Sequence, residues 1–158
     1  MPEPGAADTD LQGDAEAMSE WRHDLEALSA SIQQGLAHLV AAKLATVTAT
    51  AFPVTESAFG TYSALGLEIT LIVLGEPRLI FVRPRGLSIL GAVETGVARA
   101  LSARGRVDIQ CGLVRMILLR FVDPKPTRWI SFSRGRKRAL DQKDLLDLVM
   151  QVTELKPK

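Results

Sequence analysis

A single cysteine, Cys111, is all the thiol chemistry this 158-residue chain has. It cannot close an internal disulfide, so the fold must rest on packing, and a reducing cytoplasm is the expected compartment. Histidine is almost as scarce, with only His23 and His38. On a helix these two would sit about 60° apart around the axis and about 22 Å apart along it, too far to share a metal within one chain. Aromatic residues make up 5% of the sequence, which leaves Leu, Ile, Val and Ala to fill the core. Long apolar runs are missing too. The best candidate, residues 36–54, is interrupted by Lys43, several threonines and Pro53. It falls short of the roughly 20 apolar residues a membrane helix needs. The opening "MPEPGAADTDLQGDAE" is acidic and lacks the apolar segment of a secretory signal.

Catalytic motifs are absent as well. The chain holds no dinucleotide fingerprint, no P-loop and no G-x-S-x-G. Its nearest glycine-rich stretch, "GLSILGAVETG", lacks the Lys-Ser/Thr pair that would hold phosphate and magnesium. The carboxylates Glu68, Glu76, Glu94, Asp108 and Asp123 are dispersed, and Asp108 alternates with Val107 and Ile109 as a solvent-facing strand residue would. Cys111 has no partner base in sequence and lies in an apolar stretch, where an inert thiol is the usual outcome. The expectation is a protein that is not an enzyme, with no catalytic or metal residues, no cofactor and no small-molecule substrate.

What the chain does have is a lopsided charge. Residues 1–30 carry eight acids against one base, Arg22, whereas residues 78–138 carry fourteen bases against three acids. Such a split points to an anionic partner, or to an acidic arm lying over a basic face.

The pattern reads as one α+β domain over 15–158 behind a disordered acidic tail at 1–14. A long helix from about Ala15 to Thr48 is marked by Met18, Trp21, Leu25, Leu28 and Ile32 at heptad spacing, continuing through Leu36, Leu39, Val40, Leu44 and Val47. Phe52-Pro53 would end it. "LEITLIVL" (67–74) and "LIFVR" (79–83) form a hairpin turning at Gly75-Glu76-Pro77-Arg78. Residues 87–90 and 93–102 read as a third strand and a short helix. Residues 106–122 form a long strand region that Gly112 either bulges or divides in two, and 127–133 a last strand. A C-terminal helix comes next. Asp141 is its N-cap, Asp144 sits at N3, and Leu140 and Leu145 form the staple. Its buried stripe is Leu145, Leu148, Val149, Val152 and Leu155. The fold class is therefore α+β: an antiparallel sheet of about five strands with a long N-terminal and a C-terminal helix packed against it. The order of elements resembles the layout of small secretion-chaperone-like dimers, although those proteins are usually acidic and no motif ties this chain to them.

Two functions fit. The first is a protein-interaction module, a homodimer or a partner of another protein, that associates through the helix, with Trp21, Leu25, Leu28 and Ile32 at the interface, and through the hairpin, because the helix stripe exceeds what one small sheet can cover and both faces of the hairpin are largely apolar. The second is binding of nucleic acid or another polyanion through three arginine-rich groups at strand ends. These are Arg83 with Arg85, Arg104 with Arg106, and Arg134, Arg136, Lys137 and Arg138. No membrane partner is expected.

Overall fold

The computed structural model describes residues 4–56, 59–87, 103–122, 126–133, 136–140 and 149, with side chains from Ala15 onward except at 132, 133 and 136–140. Among the described residues one long helix, α1 (Pro4–Ala41), is followed by seven strands. These are β1 (Ala45–Glu56), β2 (Gly60–Val73), β3 (Glu76–Gly86), β4 (Arg106–Cys111), β5 (Val114–Phe121), β6 (Arg128–Ser133) and the short β7 (Arg136–Leu140). They form one antiparallel sheet in chain order, β1 at one edge and β7 at the other. The α+β class holds, and the sheet is wider than the five strands expected.

Helix α1 spans about 57 Å at 1.5 Å per residue. Its backbone is helical from Pro4, within the segment expected to be disordered, and Gly35 does not interrupt it. It stops at Ala41, seven residues before the expected end. Lys43 takes a left-handed φ of 62°. The Leu44 amide bonds the Leu39 carbonyl at 2.8 Å and the Lys43 amide bonds that of Val40 at 3.0 Å. This is the Schellman pattern, with lysine where glycine is usual. The next segment, "ATVTATAFPVTE", is strand β1. Its β-branched residues favour a pleated surface. Leu44 and Val47 only happen to continue the helical spacing. Pro53 does not end a helix; it lies in an edge strand, where a missing amide is tolerated.

The main core lies between α1 and one face of the sheet. Trp21, Leu25, Leu28, Ile32 and Leu36 pack there with Leu67, Ile69, Leu71, Ile80, Val82, Val107, Ile109 and Leu118. The interface role expected of Trp21, Leu25, Leu28 and Ile32 does not fit this placement. A wider sheet covers the stripe, and all four are buried within their own chain. On the other face, Leu119, Phe121, Ile130 and Ala103 form a second small cluster.

Two hairpins turn through two residues each. Val73 pairs with Glu76, so Leu74-Gly75 is the turn rather than residues 75–78. Cys111 pairs with Val114 across Gly112-Leu113, which splits the long strand region in two. Beyond Gly66 the β1–β2 ribbon leaves β3, since β2 pairs with β3 only from Leu67 onward. A Cβ at Gly66 would meet the Val82 carbonyl at 2.2 Å and the Phe52 ring at 2.6 Å. Only glycine permits that approach.

Residues 136–140, expected as the loop ahead of the C-terminal helix, are strand β7, with Leu140 paired to Trp129. Asp141, Asp144, Leu145 and Leu148 lie outside the described residues, as do 88–102. Val149 is helical and fully buried in the main core. Among the described residues no helix is long and apolar enough to cross a membrane.

Candidate binding surfaces: an edge strand and an arginine cluster

Strand pairing assembles the outer face of the sheet, opposite α1. One cross-strand row runs Glu68, Phe81, Gln110, Arg115. The next runs Arg83, Asp108, Ile117. Arg85 is the extra residue of a bulge between Pro84 and Gly86, a feature that often re-aims a side chain. These registers gather Arg83, Arg85, Arg106 and Arg115 on β3, β4 and β5 around one carboxylate.

Asp108 lies on this outer face, as its alternation predicts, but it is not solvated: it is only 2% exposed. Arg106 grips it as a fork, Nε to Oδ1 at 2.9 Å and Nη2 to Oδ2 at 3.3 Å. Arg85 and Arg115 stand farther off, at 3.6 and 3.9 Å from Oδ2, and are 45% and 51% exposed. Arg83, directly opposite Asp108, sets its guanidinium 5.5 Å from the centre of the Phe52 ring. Phe52 in turn meets Phe81 edge to face at 6.5 Å. Three arginines thus surround one carboxylate and Arg83 stands beside them on β3, a local excess of positive charge.

The structure brings together three of the eight cations expected to bind polyanions. Arg83 and Arg85 lie within β3 rather than in a turn after it, and Arg106 opens β4. Arg104 is elsewhere: its amide and carbonyl bracket Arg120, with bonds of 2.7 Å to the Arg120 carbonyl and 2.6 Å from its Nη1. Arg134 lies outside the described residues. Arg136, Lys137 and Arg138 belong to β7 and pair with Ser133, Phe132 and Ser131. Arg115 is not among the expected residues, although its alternation with Ile117 and Leu119 places it on this face.

The two sheet edges differ. The sequence of β7 carries three consecutive cations, a common way of discouraging further strand pairing. β1 carries no charged residue from Ala45 to Thr55, and its pairing with β2 is unbroken over twelve residues. Its Thr46, Thr48, Ala49 and Ala51 are exposed. Among the described residues no strand pairs with its outer side. Val40 and Leu44, two of the few large exposed apolar residues, flank it at the α1–β1 corner.

Polar groups elsewhere act as struts. The Trp21 Nε1–H donates to the Tyr62 hydroxyl at 3.2 Å, and that hydroxyl donates to the buried Glu56 carboxylate. Burial, then the Glu56 hydrogen bond and charge, push the Tyr62 pKa well above its ordinary value. His23 and His38 are exposed, Cys111 is half-buried, and among the described residues no group of His, Cys, Asp and Glu could hold a metal. No protein-family model, curated protein or solved structure matches the chain.

Proposed function

We propose that the protein is a non-catalytic interaction module of the cytoplasm that forms a homodimer by antiparallel pairing of its β1 edge with that of a second copy. The contrast between the guarded β7 and the unguarded β1 carries this reading. An open edge offers unpaired N–H and C=O groups as a template for another strand. β1 is self-complementary. About a twofold axis at Thr48, Thr46 meets Thr50 and Val47 meets Ala49 of the other copy, with no like charges opposed. Val40 and Leu44 lie where a second sheet edge would cover them. The single cysteine supports the reducing compartment.

Light scattering on the full chain tests this. The expected result is a dimer at tens of micromolar protein, converted to a monomer by the double substitution Thr46→Lys, Thr48→Lys with the circular dichroism spectrum retained. A monomeric wild type, or a dimer indifferent to the two lysines, would overturn it.

A further inference from the structure

We infer that the arginine cluster on the outer face of β3, β4 and β5 binds the phosphodiester backbone of a single-stranded nucleic acid, with Phe81 as the stacking ring beside it. The site lies on β3, β4 and β5 and touches β1 only through the Phe52 ring, so its cations do not depend on how the β1 backbone edge pairs. The cluster has more charge than its one carboxylate can employ. Arg106 already supplies Asp108 with a two-point fork, and at 2% exposure that carboxylate is covered from direct contact with an arriving phosphate. Arg85 and Arg115 stand beyond hydrogen-bonding range of it, about half exposed. Asp108 thus draws them together without occupying their planar forks, the geometry that suits a phosphate oxygen pair.

The choice of a single strand rests on the neighbouring row. Phe81, Gln110 and Arg115 lie side by side on adjacent strands, giving a partly exposed ring, an amide and a cation in line. A ring on an open sheet face can take an unstacked base, while the cations hold the backbone. Bases inside a duplex present no free face to such a ring. Glu68 closes the same row on the far side of Phe81. It repels a backbone there, which confines the strand's path to the β3–β5 side.

The test is fluorescence anisotropy with labelled poly-uridine and poly-thymidine probes and a duplex control, using the full chain. Wild type should retain a single-stranded probe at about 0.1 M salt. Arg85→Ala with Arg115→Ala should weaken binding by about tenfold or more, and should flatten the salt dependence by about 1.4 log units per decade, two lost phosphate contacts on a single strand. Both positions are half exposed and Arg106 remains on Asp108, so the fold is expected to survive, which an unchanged melting temperature verifies. Phe81→Leu should weaken single-strand binding by about fivefold or more with little change in the salt slope. No retention of any single-stranded probe overturns the inference. So does unchanged binding in the double variant. Equal affinity for the duplex with Phe81→Leu without effect overturns the single-strand assignment.

Discussion

Asp24 of α1 and Arg120 of β5 meet across ninety-six residues of sequence, with Nε 2.7 Å from Oδ2. The Arg120 side chain is 2% exposed and that of Asp24 18%. The same guanidinium lies 5.6 Å from the centre of the Trp21 ring and donates to the Arg104 carbonyl, so one cation ties α1 to β5 and to the approach of β4. Removing the acid strands a buried charge, whereas removing the base leaves an acid that water and Thr127 can still reach. Asp24→Ala should therefore cost about 3–5 kcal/mol and Arg120→Met clearly less, read as urea midpoints at equal slope. The reverse order would show that the pair does not fix the helix to the sheet.

Tyr62 is the only tyrosine in the chain, so phenolate absorbance reports on it alone. Its pKa is raised in the folded state, chiefly by burial and then by Glu56. An acid whose folded pKa is raised contributes its stability fully below the unfolded value, about 10 for tyrosine. That contribution is lost as pH rises from there toward the higher folded value. Wild type should therefore lose stability above about pH 10, with phenolate absorbance appearing only as the chain unfolds. Tyr62→Phe should cost about 1–3 kcal/mol at neutral pH, because Trp21 loses its acceptor and Glu56 a donor. The variant should also lose this part of the alkaline slope. A tyrosine that ionises in the folded protein near pH 10 would contradict the assignment.

Two exposed residues sit where glycine or asparagine would be more comfortable. Leu74 has φ 53° and Lys43 φ 62°. Leu74 is 96% exposed and precedes Gly75 at φ 80° in a two-residue hairpin turn. Asn-Gly is the favoured pair for such a turn. Leu74→Asn and Lys43→Gly should each stabilise by about 0.5–1 kcal/mol, and the two should add because they occupy separate turns. Thermal denaturation of the two single variants and the double checks this; a loss of stability in either would contradict the turn assignment.

How much of the fold is legible in the sequence depends on whether the signal is local. The stripe from Trp21 to Ile32 announces a helix face, and it is one. What covers that face is not legible, because it is assembled from strands as distant as β5. The start of β1 reads as helix because Leu44 and Val47 prolong the helical spacing, while the stop comes from Lys43 in a conformation lysine rarely adopts. Arg83, Arg85 and Arg106 are visible as cations near strand ends. Their convergence is not, since it needs the β3–β4 register and the bulge at Arg85. Alternation in "VRMILLRF" is the signal that could have found Arg115. Its pairing with Gln110 depends on the Gly112-Leu113 turn, which fixes the register of the whole hairpin.

Asp108→Asn separates the structural role of the arginine cluster from its role toward a ligand. The Arg106 side chain is 15% exposed and loses an ionic partner, so stability should fall by about 1–3 kcal/mol. The same change removes the acid that Arg85, Arg106 and Arg115 share, leaving three cations uncompensated with Arg83 beside them. Charge complementarity to phosphate therefore improves while folding stability declines. The variant is expected to melt earlier and to bind the poly-uridine probe several-fold more tightly, with a steeper salt dependence than wild type. A cluster built only to neutralise a buried carboxylate would give the first effect without the second. If Asp108→Asn lowers both stability and affinity, the carboxylate holds Arg85 and Arg115 in their binding geometry, and Asp108→Glu should then restore part of each.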